Sequence, residues 1–157
     1  LQPYMGRVEY YGAEADEALR GKAKTIGTCF ISYYMSYENK LMVGKVKTVG
    51  VNALDYYGDF ENDALKGKLK NAGSFLLNYY GSFDNEVFIG KLKSLGNTTL
   101  TYYSSFEDRL IKGKIKSIGS YNYIWYTSFD RKEFQGALKT GNYIQVVNGV
   151  NFIVSLY

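Results

Sequence analysis

Histidine is absent from this chain, cysteine and proline occur once each, and no apolar run approaches the length of a membrane-crossing helix. Each absence excludes something. With Cys29 alone, no disulfide can form within the chain, and zinc, haem and imidazole acid–base chemistry lose their usual ligands. No metal and no cofactor is expected. An active site would have to be built from Asp, Glu, Lys and Tyr, so the expected role is not catalytic. Cys29 stands two residues from Ile31 on an apolar strand face and reads as a small buried hydrophobe. Pro3 lies near the start, which leaves the interior free of the residue that interrupts a strand ladder. A helical span needs about 18 or more apolar residues, so no transmembrane span is expected, although strands with an aromatic band leave a porin-like alternative. Arginine is scarce and scattered, at Arg7, Arg20, Arg109 and Arg131, and the net charge is only +4. Specific nucleic-acid binding is therefore not expected. The chain opens on Leu1 rather than methionine, an opening that suggests a removed leader or tag and makes export one expectation while the compartment stays unassigned.

What the chain has in abundance is repetition. Glycines fall at 21, 44, 67, 90, 113 and 136, every 23 residues, and lysine follows each of the first five. An aromatic pair recurs in the same register: Tyr10 and Tyr11, Tyr33 and Tyr34, Tyr56 and Tyr57, Tyr79 and Tyr80, Tyr102 and Tyr103, then Trp125 and Tyr126. Further along each later copy stand Tyr37, Phe60, Phe83, Phe106 and Phe129, each followed by an acid: Glu38, Glu61, Asp84, Glu107 and Asp130. A closing glycine follows at 27, 50, 73, 96 and 119, and at Gly141 in the last copy. Such periodicity is the mark of stacked supersecondary units that bury a core only together.

Within a copy the period is two. Leu54, Tyr56, Gly58 and Phe60 alternate with Ala53, Asp55, Tyr57 and Asp59, and Leu65, Gly67 and Leu69 alternate with Lys66, Lys68 and Lys70. Each copy therefore reads as two antiparallel strands of eight residues, with a loop at Glu61 to Ala64 and a three-residue connection at Asn71 to Gly73. That register sets Tyr56 opposite Leu69, Gly58 opposite Gly67 and Phe60 opposite Leu65, with Leu69 opposite Phe75 across the connection. The fold class predicted is all-β: six hairpins over residues 10–141 and a capping hairpin over 142–157, about 14 strands in one domain covering 1–157. An elongated, twisted, single-layer sheet is the leading arrangement, and a closed or rolled barrel the alternative. Tyr143 to Val147, Asn148-Gly149 and Val150 to Leu156 form a hairpin apolar on both faces, which must dock against something.

In the fourth copy, Tyr79-x-Gly81-x-Phe83-x-Asn85, then Gly90 and Gly96, resembles a MORN repeat, as do Tyr56, Gly58, Phe60, Asn62 and Gly67 in the third. The likeness covers roughly residues 10–141. It departs where Met35 and Ser104 replace the early glycine, where Asp108 replaces the asparagine, and where Lys40, Asp63, Glu86, Arg109 and Lys132 stand in the place of a glycine. A second family glycine is Val46, Leu69, Leu92 or Ile115 here. The resemblance implies an array of hairpins used for scaffolding, dimerisation or contact with membrane lipids, and it supplies no catalytic residues.

The residues that could meet a partner lie on the polar face. Lys22, Lys24, Lys45, Lys47, Lys68, Lys70, Lys91, Lys93, Lys114 and Lys116 are predicted to form two rows, interleaved with Tyr57, Tyr80, Tyr103, Trp125 and Tyr126. Such a face suits an acidic glycan or the headgroups of anionic lipid. The competing reading is a solvated face in which the lysines lie over the rings and pair with the acids. The tyrosines, 17 in all, also suit sugar stacking, with Trp125 and Tyr126 as the spot to test. A protein partner or self-association, including a homodimer that covers the apolar face, completes the set of expectations.

Overall fold

The computed structural model describes residues 6–155. Among them every regular element is a strand: β1 Val8–Tyr10, β2 Ala23–Ile26, β3 Cys29–Tyr33, β4 Val46–Val49, β5 Asn52–Tyr56, β6 Leu69–Ala72, β7 Phe75–Tyr79, β8 Leu92–Leu95, β9 Thr98–Tyr102, β10 Ile115–Ile118, β11 Tyr121–Asn122, β12 Ile124–Trp125, β13 Leu138–Thr140, β14 Ile144–Val147 and β15 Val150–Ile153. Strands β1 to β11 are antiparallel neighbours in chain order and form one sheet that is not closed into a barrel. Two further pairs, β12 with β13 and β14 with β15, stand as two-stranded sheets. Fifteen strands replace the expected 14 because the sixth copy's first strand breaks at Tyr123 into β11 and β12. There the Tyr123 N–H donates to the Lys116 carbonyl, and its ring is only 1% exposed.

The strands are four or five residues long in most copies, not eight, and the reason is Gly67 and its equivalents. Gly67 has a φ of +72°, and Gly44, Gly90 and Gly113 lie within a few degrees of it. Left-handed backbone ends a strand, and only glycine adopts it at little cost. The chain from 57 to 68 is consequently a compact turn, in which Leu65 N–H donates to the Asn62 carbonyl and Gly67 N–H to the Tyr57 carbonyl. Gly58 and Phe60 do not face Gly67 and Leu65 across a ladder. Tyr56 does face Leu69, as the alternation predicts.

After that pair a β-bulge intervenes. Asp55 is opposite Asn71 while Tyr56 is opposite Leu69, so Lys70 is an extra residue. The same skip occurs at Lys24, Lys47, Lys93, Lys116 and Lys139. Because of it, residues three apart share the apolar face: Val46 with Val49, Leu92 with Leu95, and Ile115 with Ile118. The hairpin turn is also tighter than predicted. Ala72 pairs with Phe75 around Gly73-Ser74, a two-residue turn whose first position has φ +59°, as a type II′ turn requires.

The chain divides into two compact units, one reaching to Glu61 and including Lys66–Leu76, the other made of Asn62–Leu65 and the chain from Leu77 onward. In the second unit one face of the C-terminal hairpin docks on the apolar face, while Ile144, Val146 and Ile153 on its other face stay exposed. Phe152 and Val154 are buried with Leu100, Ile111, Ile118, Tyr123 and Trp125. The Asn148 amide, in the turn of that hairpin, donates to the Thr98 hydroxyl at 3.0 Å, and Val154 N–H donates to the Tyr143 carbonyl. Leu156, at the end of the predicted hairpin, lies outside the described residues. In the first unit the most deeply buried apolar side chains include Leu19 and Ile31, and Cys29 is half-buried.

Candidate interaction edge

The aromatic pairs stitch each hairpin to the next. The first ring of a pair reaches back: the hydroxyls of Tyr33, Tyr56 and Tyr102 donate to the carbonyls of Ala23, Val46 and Leu92, at 3.0, 2.8 and 2.8 Å. Trp125 replaces a phenol without losing the bond, since its Nε1–H donates to the Ile115 carbonyl at 2.8 Å. The second ring reaches forward: Tyr11, Tyr34, Tyr80 and Tyr103 donate to the carbonyls of Ile31, Leu54, Leu100 and Tyr123. Rings from adjacent copies meet edge to face, as with Tyr34 and Tyr56 at 5.9 Å and Tyr80 and Tyr102 at 5.9 Å. Burial pushes the Tyr102 phenol up to about 12.

The two lysines of each copy have different surroundings. The Nζ of Lys22, Lys45, Lys91 and Lys114 donates to the carbonyl of Gly44, Gly67, Gly113 and Gly136, the left-handed glycine of the following copy. Each also stands over an aromatic face, at 5.0 Å from Tyr33, 4.9 Å from Tyr56, 5.1 Å from Tyr102 and 4.4 Å from Trp125. Burial lowers the ammonium pKa at Lys91 and Lys114. The bulge residues Lys24, Lys47, Lys70, Lys93 and Lys116 lie over Tyr11, Tyr34, Tyr57, Tyr80 and Tyr103 at 5.0 to 5.9 Å. Lys47 also pairs with Glu38 at 2.6 Å, and Lys70 with Glu61 at 3.5 Å. Lys68 precedes β6, and its carbonyl accepts the Tyr57 N–H.

The repeat thus gives its lysines two recurrent environments, one over the first ring of a pair with a bond to a glycine carbonyl, the other over the second ring. Of the candidate rings, Tyr57 and Trp125 are buried, Tyr80 and Tyr103 are half-buried, and Tyr126 stacks on Phe134 at 5.3 Å. With Trp125 only 3% exposed, the proposed sugar-stacking spot is interior.

The rings expected inside are outside. Tyr37, Phe60, Phe83, Phe106 and Phe129 are 80%, 106%, 100%, 93% and 92% exposed, each near the apex of the turn that follows the first strand. The flanking polar groups build the turn. The carboxylates of Glu38, Asp84 and Asp130 accept the N–H of Met35, Gly81 and Thr127, each at 2.7 Å. Those bonds help hold the Glu38 and Asp130 carboxyls below their ordinary range, with the Lys47 ammonium the larger influence on Glu38. The following Asx caps the next turn: Asn39, Asn62, Asn85 and Asp108 accept the N–H of Leu41, Ala64, Val87 and Leu110.

The same Asx side chains join neighbouring tips. Asp16 accepts the Ser36 hydroxyl at 2.6 Å, Asn62 the Ser82 hydroxyl at 2.8 Å, and Asp108 the Ser128 hydroxyl; the Asn85 amide donates to Ser105 Oγ at 3.0 Å. A tip is thus a braced turn whose polar groups are turned inward and whose ring projects into solvent. Sequence alternation missed these rings, but the Phe-acid-Asx order, read as turn chemistry, would have placed them in a loop.

No group of three or more Cys, Asp or Glu side chains among the described residues is disposed to hold a metal ion. Among the same residues no helix is long and apolar enough to cross a membrane. The fold and edge define an all-β antiparallel hairpin-repeat protein. Comparison with models of known protein families, with curated proteins and with solved structures finds no match to this chain.

Proposed function

We propose that this chain is a non-catalytic interaction module, a repeat scaffold of the kind its MORN-like pattern implies, which engages a protein partner through the exposed rings of the hairpin tips. The observation that carries the reading is the near-complete exposure of an aromatic ring at the same place in five copies. Such a ring adds nothing to the fold and works against solubility, so packing does not account for it. Bracing of the tips by Glu38, Asp84 and Asp130 and by Asn39, Asn62, Asn85 and Asp108 holds the rings in place before binding, which lowers the entropy cost of association.

Covering one such ring contributes about 2 kcal/mol, and several rings on one scaffold act together through effective concentration. The lysine face gives less support to a polyanion track. The ammonium groups of Lys22, Lys45, Lys91 and Lys114 are committed to backbone carbonyls, and the bulge lysines Lys47, Lys70 and Lys139 pair with carboxylates.

The test is an affinity capture from the source cells with the intact chain and with a variant carrying Tyr37→Ser, Phe60→Ser, Phe83→Ser, Phe106→Ser and Phe129→Ser. Both chains should fold alike by circular dichroism, and the variant should lose the partner that the parent retains. An unchanged set of captured proteins would overturn the assignment of the tips.

A further inference from the structure

We infer that the segment received by these tips is a polyproline II helix bearing basic residues, laid along the row so that each of its turns meets one ring; this rests on the reading of the tips as the binding edge. The second unit supplies three consecutive rings, Phe83, Phe106 and Phe129, one per hairpin. Successive hairpins in an antiparallel ladder are two strand spacings apart, about 9.5 Å. A polyproline II helix completes a turn in three residues at about 3.1 Å each, or about 9.3 Å, and returns the same face at every turn. The other regular conformations fit less well. An α-helix has a pitch of about 5.4 Å, two turns of which overshoot the interval. An extended strand covers the interval in about three residues, an odd number that turns successive side chains to opposite sides.

Hydrogen bonding at the tips points the same way. Addition of a strand would need free backbone N–H groups along the row, but Gly81 N–H is taken by Asp84, Ser82 N–H by Asn62, Thr127 N–H by Asp130 and Ser128 N–H by Asp108. A polyproline II segment needs no such ladder, since it docks its pyrrolidine rings on aromatic faces and leaves its own backbone solvated. Charge sets the remaining positions. Asp84 and Glu107 are exposed directly after Phe83 and Phe106, so arginine or lysine between the prolines meets a carboxylate beside those two rings, while Asp130 is already paired with Lys139 at 3.9 Å.

The experiment is a titration of the isotope-labelled full chain, followed by amide chemical shifts, with a peptide of repeated Pro-Pro-Arg about a dozen residues long. A Gly-Ser-Arg peptide of equal length and charge is the control, and a β-1,4-linked oligosaccharide is the rival ligand. Saturable shifts confined to the turns around Ser82, Ser105 and Ser128 are expected. Affinity should fall about tenfold with Phe106→Ser and about a hundredfold with all three rings replaced. Equal affinity for the Gly-Ser-Arg control, tip shifts with the oligosaccharide instead of the peptide, or no response at the tips would each overturn the polyproline assignment. If the tip variants lose the natural partner while the proline peptide leaves the turns unmoved, the interaction edge stands and only the ligand class falls.

Discussion

Gly21 and Gly44 offer a controlled comparison, because they occupy the same repeat position with the same φ of +75° and differ in what approaches them. A Cβ at Gly21 meets nothing within 4 Å, whereas one at Gly44 falls 2.7 Å from Lys22 Nζ. The difference follows from the brace between copies, since the Gly44 carbonyl is bonded by Lys22 of the copy before it, as those of Gly67, Gly113 and Gly136 are by their own lysines, whereas Gly21 has no such neighbour in the structure. Gly21→Ala should therefore show backbone strain alone, roughly 1–2 kcal/mol for an L-residue in left-handed conformation. Stiffening of the unfolded chain by alanine offsets about 0.4–1 kcal/mol of that, leaving about 1 kcal/mol.

Gly44→Ala carries the same term and also displaces the ammonium from the Gly44 carbonyl and from the Tyr33 ring. A hydrogen bond to a charged group contributes about 1.5–3 kcal/mol and the cation–π contact about 0.5–1. Partial exposure and rebonding of a flexible lysine to water reduce the sum, and the expected cost of Gly44→Ala is about 3 kcal/mol in all. Urea unfolding of both variants measures the gap directly, because both sites lie in the first unit. A third chain, Gly44→Ala with Lys22→Met, should cost less than the sum of the two single changes, since one bond cannot be lost twice. Equal costs for Gly21→Ala and Gly44→Ala, within about 0.5 kcal/mol, would refute the assignment of the lysine as a brace between copies.

Other outcomes follow from single features. Phe106→Ser should leave the midpoint of thermal unfolding nearly unchanged, within about 0.5 kcal/mol, whereas Phe152→Ala in the capping hairpin should cost about 3–5 kcal/mol; similar losses from both would contradict their opposite exposures. The Tyr123 hydroxyl is buried without a hydrogen-bond partner. Tyr123→Phe should therefore stabilise the chain by about 1 kcal/mol, and a clear loss of stability would reveal a bond to that oxygen. Tyr102, raised to about 12 by burial, favours the neutral phenol in the folded chain. Its contribution is complete below the unfolded value near 10 and is lost as pH rises through about 12, so stability measured against pH should fall across that window, and Tyr102→Phe should flatten the fall.

The 23-residue period, the hairpin order, the Tyr56–Leu69 pairing and the docking of the last hairpin were all legible in the residue order, because each rests on local pattern and on burial of apolar area. Two features were not. The alternation Leu65, Gly67, Leu69 has the period of a strand, but the glycine at its centre serves its positive φ rather than a ring packed over bare backbone. Nothing in composition separates those uses of glycine. The bulge was hidden in a similar way: Leu-Lys-Ser-Leu at 92–95 has a three-residue apolar spacing that a regular strand cannot place on one face, and an inserted lysine resolves it. The exposed phenylalanines followed from the same error, since a shorter strand leaves Phe60 in the turn.

The braces between copies have a bearing on how such a chain can change in length. The lysine bonds span 22 residues and the tyrosine and Asx bonds between copies span 10 or 20, so every one of them ends in an adjacent copy. The capping hairpin reaches further, with Asn148 bonded to Thr98, but only within its own end of the chain. Stability is then close to a sum over neighbouring pairs. A tandem duplication of one copy brings its own donors and acceptors and leaves the terminal hairpin its docking site, so the number of copies can vary by gene duplication without any redesign of the fold, and each added copy brings one more ring to the edge.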